Sequence, residues 1–215
     1  WISIDKAGVA LSQEDIENIY RLGIKRCFKK GAVIGRAGEY VSGIYFLAKG
    51  EITGRYLSAD GLEKVIFIFK PPCFFDESPY LAELKSNMEL RASVDSELVF
   101  FSREALERIL ISNPSFNLML MKNMARKVRI ILDQLLDMFS LSPLQRIHKM
   151  LLLYAAEKGV RREDGIHIRL SQDELATITG LHRVTVARAF SKLKRSGIIK
   201  RTGRSLVVID PRISH

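Results

Sequence analysis

A long stretch with helical periodicity, from Pro114 to about Phe139, constrains the fold of this chain more than any other feature. Six of its apolar residues recur at alternating spacings of three and four, the pattern of a coiled-coil seam; they are Met121, Met124, Val128, Ile131, Leu135 and Met138. A second apolar set consists of Leu118, Leu120, Leu132, Leu136 and Phe139. Because a helix with two apolar faces must bury both, we expect one face to pack on the chain's own core and the seam to pair with a second copy.

The segment before this helix has the alternating pattern of β-strands. From about Arg26 to Phe101, short stretches rich in β-branched and aromatic residues are separated by glycines; they are residues 44–48, 51–57, 63–69, 88–94 and 98–101. Several short strands at this spacing predict a small sandwich or barrel-like roll. Helical spacing also predicts short helices at residues 12–22 and 103–111.

The positive charge of the chain lies almost entirely in its last third. The net charge is +10, and residues 141–215 account for +9 of it, with 15 Lys and Arg against 6 Asp and Glu. Clustered cations favour nucleic acid as a partner, because binding releases the counterions of its phosphates. From charge alone, a solvated basic face and an anionic membrane surface are the alternatives. No apolar run approaches the roughly 20 residues of a membrane-spanning helix.

The sharpest motif lies in this basic region. Ser171 and Glu174 form a capping box that begins a short helix, and Gly180 permits the turn that ends it. A second helix over residues 182–195 turns its apolar positions inward, namely Val186, Phe190 and Leu193, and carries Arg183, Thr185, Arg188, Lys192 and Arg195 on its opposite face. A hairpin at residues 198–200 and 205–209 follows, so the pattern predicts a winged helix-turn-helix.

The second helix of this motif supplies the candidate base-reading residues. Arg183 and Arg188 can point into a major groove, where a guanidinium pairs with guanine O6 and N7. Val184 lies between them and either contacts a thymine methyl group or packs. The candidates for phosphate contacts, which orient the protein without reading sequence, are Ser171, Gln172, His182, Thr185, Thr202 and Arg204.

The remaining reactive residue types show no enzyme or metal motif. Two Cys cannot form a disulfide framework or a four-Cys cluster, and the four His lack the spacing of metal ligands. The sequence has no nucleophile elbow and no phosphate loop. We therefore predict a protein that is not an enzyme, has no metal site and resides in a reducing cytoplasm.

Taken in order, the glycine-punctuated roll, the long helix and the winged motif resemble the cyclic-AMP receptor protein / fumarate-nitrate regulator (CRP/FNR) family of bacterial transcription factors. The resemblance covers essentially the whole chain and is carried by residues 31–50, 175–188 and 197–203. It implies an α+β fold. Residues 1–113 would form a double-stranded β-helix, the cupin-like β-roll of an effector domain, followed by a dimerisation helix at 114–140 and a DNA-binding domain at 141–215.

The resemblance also implies a function. It predicts a cytoplasmic homodimer that regulates transcription from palindromic double-stranded DNA, with RNA polymerase as a further partner. Arg183, Val184 and Arg188 fall where the family reads bases, although Val184 replaces an acidic residue that is frequent there. The alternative is a regulatory subunit that binds an effector through the same β-roll. The basic winged module favours the DNA-binding interpretation, because such a subunit has no need of it.

The effector motif departs from that of the cyclic-nucleotide members. Those members hold the cyclic phosphate with a Gly-Glu turn and an Arg-Ser pair. This chain has Asp76-Glu77 at the turn, Leu90-Arg91 or Arg91-Ala92 at the pair, and Ile131-Leu132 where the dimer helix meets the purine. A carboxylate at position 76 repels phosphate, so we do not expect cyclic AMP as the effector. The N-terminal Cys group of the iron–sulfur members is also missing.

What remains is a mainly apolar pocket between roll and helix. Its predicted lining is Phe74, Phe75, Glu77, Leu90, Arg91, Val128, Ile131 and Leu132. Such a pocket suits haem, as in sensing of a diatomic gas, an apolar small molecule, or no ligand. Met121 and Met124 are candidate haem ligands, and packing in the seam is the alternative for both.

Overall fold

The computed structural model of the protein describes residues 3–4, 12–203 and 205–209, of which residues 3–4 are described as backbone only. These residues fall into two compact units. The first unit holds residues 65–132 and the described residues before 58, and the second holds residues 58–64 and the described residues from 133 onwards. The boundary at 132/133 lies inside the long helix, whereas the sequence-based limits at 113/114 and 140/141 coincide with the ends of that helix.

The first unit is a β-roll with helices at its start and end. Its elements in chain order are β1 (Ser3–Ile4), α1 (Gln13–Leu22), β2 (Ile24–Phe28), β3 (Val33–Gly35), β4 (Gly43–Lys49), β5 (Ile52–Leu57), β6 (Glu63–Phe69), β7 (Cys73–Phe75), α2 (Glu77–Leu81), β8 (Glu89–Ala92), β9 (Ser96–Ser102), α3 (Arg103–Ser112) and α4 (Pro114–Ser140). One sheet has the order β1-β6-β5-β8-β3 and the other the order β2-β9-β4-β7. The predicted β-roll is therefore confirmed.

The two sheets of the roll enclose a common apolar core. Leu47 and Leu98 from one sheet pack with Ile52, Phe69 and Leu90 from the other, and all five side chains are fully buried. The sequence pattern predicted no separate element at β1, β2, β3, β7 or α2. Each of them spans only two to five residues, which is too short for a hydrophobic period to be visible.

The long helix α4 packs on the roll through a face that combines apolar and polar residues. Phe116 of α4 contacts the rings of Phe74 and Phe101, with ring centroids 5.0 and 5.6 Å apart. Two turns further on, Asn123 forms two hydrogen bonds with the backbone of Phe74, donating to its carbonyl over 3.0 Å and accepting from its N–H over 3.4 Å. These contacts fix the first half of α4 against strand β7.

The face of α4 that packs on the roll differs from the expected one. We expected the second apolar set to pack there, but Leu118, Leu132, Leu136 and Phe139 are 48 to 83% exposed, and within that set Leu120 is buried. The buried residues of α4 are Phe116, Met119, Leu120, Asn123 and Lys127. The expectation was wrong because it assumed that only apolar residues face a core.

The second unit is a winged helical domain. Its elements are α5 (Pro143–Lys158), β10 (Val160–Arg162), β11 (Gly165–Ile168), α6 (Gln172–Thr179), α7 (Arg183–Arg195), β12 (Ile199–Thr202) and β13 (Ser205–Val208), and its sheet has the order β10-β11-β13-β12. Leu151, Leu175 and Val186, one from each helix, are fully buried in one core with residues of the sheet. The predicted winged helix-turn-helix is confirmed. No helix in the described part of the chain is both long and apolar enough to cross a membrane.

Two isoleucines of α3 test the packing of this helix. Ile109 is 2% exposed and Ile111 is 87% exposed. We expect Ile109→Ala to lower the free energy of unfolding by about 3 kcal/mol, because it removes buried methyl groups and leaves a cavity. Ile111→Ala should change it by less than about 0.5 kcal/mol. Urea unfolding at one fixed protein concentration measures both values, and equal losses would contradict this placement of α3.

Candidate DNA-binding face and effector cavity

The turn between α6 and α7 sets the geometry of the helix-turn-helix. Ser171 caps α6 and accepts a hydrogen bond from the N–H of Glu174 over 3.1 Å, which is the predicted capping box. Gly180 ends α6 with φ at 64°, a left-handed conformation that favours glycine. The N–H groups of Gly180 and Leu181 both donate to the carbonyl of Ala176, over 2.8 and 3.2 Å. The local sequence thus fixes where α7 begins.

Helix α7 separates a buried face from a basic exposed face. Val186, Ala189 and Leu193 are buried, and Phe190 is half-buried against the same core. On the opposite side the exposed residues are Arg183, Val184, Arg188, Lys192 and Arg195, while Thr185 is half-buried. Val184 is 60% exposed, so its side chain is available to a partner instead of packing in the core. All three predicted base-reading residues are thus exposed on the first half of α7.

Arg183 is the base-reading candidate that already has a partner. Its Nε lies 3.1 Å from Asp173 Oδ1, and the two side chains are 75 and 61% exposed. A surface ion pair of this kind contributes less than about 1 kcal/mol. A phosphate or a guanine edge can therefore replace Asp173 at little energetic cost.

The candidate phosphate contacts lie at different places around this face. Gln172 is exposed at the start of α6, His182 is exposed at the N-cap of α7, and Thr202 is exposed at the end of β12. The hydroxyl of Ser171 is already engaged by Glu174 Oε2 over 2.7 Å, and Thr185 is half-buried. Arg204 lies outside the described residues.

A charged cluster, missed by the sequence analysis, supports the wing. Asp164 receives His167 Nε2 on one oxygen at 2.6 Å and Lys200 Nζ on the other at 3.0 Å. The hydrogen bond from His167, followed by that from Lys200, lowers the pKa of Asp164 to about 2. The cluster connects the β10–β11 turn to β12. Its sequence signal is weak, because Asp164 and Lys200 are far apart along the chain.

The first unit contains a cavity of about 320 Å³ between the roll and α4. Its walls are mainly apolar, and they also carry three ionisable side chains, from Asp76, Glu77 and Lys127. The other lining residues are Tyr56, Ile66, Phe67, Phe69, Ser78, Pro79, Asn87, Met88, Leu90, Met124, Val128 and Ile131. A volume of this size falls at the lower end of the range for small-molecule sites.

The three ionisable side chains form a buried cluster. Lys127 of α4 donates to Glu77 Oε1, and the side chains are 11 and 1% exposed. Lys127 Nζ also lies 5.1 Å from the centre of the Phe69 ring, a contact that stabilises a cation. Within residues 12–203 and 205–209, Glu77 Oε2 has no hydrogen-bond partner. Among the described residues, a buried residue of the cavity wall thus has one carboxylate oxygen without a partner.

Asp76 adds a second carboxyl group beside this ion pair. It precedes α2 with φ at 67°, a left-handed conformation that Asp tolerates better than most residues. Burial raises the pKa of Asp76 to about 7, Lys127 opposes that rise, and Glu77 adds to it. Asp76 is thus poised to change charge near neutral pH.

The structure brings together some of the predicted pocket residues. Glu77, Leu90, Val128 and Ile131 line the cavity. The others are not among the lining residues and have different surroundings. Phe74 and Phe75 are buried among core rings, and Leu132 is 48% exposed. Arg91 donates to Glu89 Oε1 over 2.6 and 2.9 Å and to the carbonyl of Gly31 over 3.1 Å.

The sequence analysis missed the charged residue that α4 contributes to the cavity. Lys127 continues the spacing of Phe116, Leu120 and Asn123 by four, three and four residues, so it lies on the buried face of α4. A stripe that begins with apolar residues and continues with polar ones was the available signal. Of the predicted seam residues, Met124 is half-buried at the cavity wall, and the other five are 45 to 59% exposed.

Asp76→Asn should remove a pH-dependent loss of stability. Because the pKa of Asp76 is higher in the folded chain than its ordinary value near 4, the folded state keeps a proton that the unfolded state has lost, and stability falls as the pH rises from about 4 to 7. We expect the variant to gain about 2 kcal/mol more over wild type at pH 8 than at pH 5. Urea unfolding at both values measures this, and Glu39→Gln, at an exposed carboxylate, serves as the control. A gain from Asp76→Asn that is the same at both pH values would contradict the prediction.

Comparisons with known proteins agree with both halves of this architecture. Residues 25–113 match the family model of the cyclic nucleotide-binding domain, and residues 145–212 match that of the Crp-like helix-turn-helix domain. A CRP-like cAMP-activated global transcriptional regulator of Mycobacterium tuberculosis is 25% identical over 191 residues, which cover 85% of this chain and 83% of the relative. The cAMP-activated global transcriptional regulator CRP of Pasteurella multocida is 26% identical over 179 residues, covering 82 and 85%.

Solved structures show the same fold. CprK in complex with OCPA has a TM-score of 0.70 and 25% identity, with 94% of this chain and 93% of CprK covered. The c-di-GMP responsive global regulator CLP of Xanthomonas campestris has a TM-score of 0.81 at 19% identity, with 91 and 98% covered, and this likeness concerns the fold alone. These four comparisons cover 82 to 94% of this chain.

Proposed function

Because this chain belongs to the CRP/FNR family of DNA-binding transcriptional regulators, we propose that it acts as a homodimer on palindromic DNA. Two copies of α7 enter successive major grooves, about 34 Å apart. A small molecule other than cyclic AMP, bound in the cavity of the β-roll, controls the protein. This role belongs in the cytoplasm, with RNA polymerase as a partner at the promoter.

The exposed basic face of α7 is the observation that carries the DNA-binding proposal. Arg183, Val184 and Arg188 lie together on the first half of a helix whose start is fixed by a left-handed glycine and whose inner face is buried. A guanidinium group in that position can donate two hydrogen bonds to one guanine, to O6 and to N7, and a valine can contact a thymine methyl group. His182, Gln172 and Thr202 are available for phosphates around them.

An exposed apolar stripe along α4 supports the homodimer. Large apolar side chains along this helix are about half exposed or more, in particular Leu118, Met121, Val128, Ile131, Leu132, Leu135, Leu136, Met138 and Phe139. Stretches of contiguous apolar surface this long are rare on soluble monomers and are typical of interfaces. The spacing of three and four along the stripe suits a parallel helix of a second copy.

The cavity supports an effector that differs from cyclic AMP. Asp76 stands where cyclic-nucleotide members have glycine, and its carboxyl group opposes a phosphate. Arg91 is occupied by Glu89 and the Gly31 carbonyl and is not among the lining residues. The lining residues also include no His or Cys, the usual side chains for haem iron in sensors, and Met88 and Met124 supply its sulfur atoms. A small organic molecule fits these walls better than haem.

The relative CprK has been solved with o-chlorophenolacetic acid, which is a small aromatic compound. A ligand of that size suits a cavity of about 320 Å³ with phenylalanine walls. We therefore place this protein among the regulators that sense small aromatic or apolar molecules. The regulation follows from α4, because Val128 and Ile131 line the cavity and also belong to the exposed apolar stripe.

Arg188→Ala tests base reading. An operator selected from a random palindromic library is the probe, and a scrambled duplex of equal length is the reference. We expect Arg188→Ala to weaken operator binding by about 10- to 100-fold, because one bidentate contact to a base is worth roughly 1–3 kcal/mol. Binding to the scrambled duplex should change much less.

Arg161→Ala is the matched control, since Arg161 is exposed in the same basic unit but lies on β10, away from α7. It should leave the ratio of operator to scrambled binding unchanged. If Arg188→Ala binds the operator as tightly as the wild type, base reading by α7 is refuted. If the wild type binds no duplex at all, the alternative of an effector-binding regulatory subunit is favoured.

Leu135→Glu tests the homodimer. Leu135 is 45% exposed on the apolar stripe, and a carboxylate there would be buried without a partner in the dimer. We expect the dissociation constant of the dimer to rise at least tenfold. Sedimentation at several protein concentrations measures it, because a monomer has a mass of 24.4 kDa and a dimer twice that mass. Ile111→Glu, at an exposed position of α3, should leave it unchanged. A wild-type chain that sediments as a monomer at all concentrations would refute the proposal.

A further inference from the structure

The charges inside the effector cavity do not balance. Its walls carry two carboxyl groups, from Asp76 and Glu77, against the single ammonium group of Lys127. Lys127 is committed to Glu77 Oε1, and within the described part of the chain Glu77 Oε2 has no hydrogen-bond partner although the residue is only 1% exposed. A buried carboxylate oxygen without a partner has lost its hydrogen bonds to water and gained none from the protein, which is unfavourable, most of all when it is charged. Glu77 Oε2 therefore lacks a hydrogen-bond donor.

We propose that the effector is a small apolar or aromatic molecule with a protonated amine, which donates to Glu77 Oε2 and to the carboxylate of Asp76. This inference rests on the proposed function, because it names the ligand class of the same effector cavity. The amine supplies the missing donor and brings the charges in the cavity to two positive and two negative. The apolar part of the molecule lies against the phenylalanine and isoleucine walls.

The same balance of charges in the cavity disfavours an acidic ligand. Its carboxylate would be a third carboxyl group beside Asp76 and Glu77, and among the described lining residues Lys127 is the one ammonium group, already paired with Glu77. Uncompensated buried charges are among the most costly features of a protein interior. A neutral alcohol can donate one hydrogen bond to Glu77 Oε2, but it leaves Asp76 without a countercharge. The expected order of affinity is therefore amine, then alcohol, then acid.

The raised pKa of Asp76 is consistent with a cavity that lacks a second cation. Burial raises the pKa of Asp76 to about 7, and Lys127 offsets this rise only in part. A second cation in the cavity would favour the charged form of Asp76. The aromatic walls add to the same preference, since Phe67 and Phe69 present rings to the cavity and ring faces attract cations.

Isothermal titration of the full chain with matched probes tests the ligand class. Three pairs of compounds are used, and within each pair the apolar scaffold is the same and only the head group differs. The pairs are 2-phenylethylamine with 3-phenylpropionic acid, tryptamine with indole-3-propionic acid, and hexylamine with heptanoic acid. We expect at least one amine to bind with a dissociation constant below 1 mM and at least tenfold more tightly than its paired acid. A preference for the acids, or no binding by any of the three amines at that concentration, would overturn the proposal.

Variants of the two carboxyl groups locate the amine. Glu77→Gln keeps the shape of the side chain and removes its charge, so the best amine should bind at least tenfold more weakly while its paired acid gains affinity. Asp76→Asn should act in the same direction. This variant keeps the ion pair between Lys127 and Glu77, so it retains that contact between α4 and the roll. Glu39→Gln replaces an exposed carboxylate that is not among the lining residues, and it should leave both affinities unchanged. Unchanged amine binding in both cavity variants would refute the assignment.

The same titration separates this inference from the proposed function. Binding of the selected operator by wild-type protein tests the regulator, and it does not require any of the probes. If the operator is bound while the acids are preferred over the amines, only the ligand class is wrong. If the amines bind as expected but no duplex does, the cavity assignment stands and the DNA-binding proposal fails.

Discussion

The attachment of α4 to the segment formed by β7 and α2 is the contact on which the rest of the structure depends. It consists of an aromatic cluster around Phe116, two hydrogen bonds between Asn123 and the backbone of Phe74, and the buried ion pair of Lys127 with Glu77. A buried ion pair is weak evidence for stability, because desolvation offsets much of its attraction. Its value here is geometric, since it fixes the rotation of α4 about its own axis.

That rotation decides what each side of α4 does. With Asn123 and Lys127 directed at the roll, Met124 and Val128 lie at the wall of the cavity, and Leu118 and Met121 remain exposed. One helix therefore borders the effector and carries the apolar stripe that suits a second copy. A ligand that changes the charge balance beside Lys127 acts directly on the contact that holds this helix, which gives regulation a short physical route.

The DNA-binding half was the more predictable part of the chain. Its capping box, its glycine turn and the inward spacing of α7 are all local features, and Arg183, Val184 and Arg188 are exposed as expected from that spacing. The effector cavity was less predictable. Half of its expected lining lies elsewhere, because Phe74, Phe75 and Leu132 were assigned by neighbourhood in sequence and by apolar character, and Arg91 by the family resemblance. Asp76 and Lys127 line the cavity but were absent from the expected lining.

The sequence by itself determined the order of roll, long helix and winged motif, the ends of α4 and the basic face of α7, because caps, turns and helical spacing act over a few residues. Only the tertiary structure decided which face of α4 is buried and which charges share the cavity. Lys127 and Glu77 are 50 residues apart, and nothing in the local pattern of either residue indicates the other. Their pairing results from the closure of the roll, which brings α2 beneath α4 and excludes water from both.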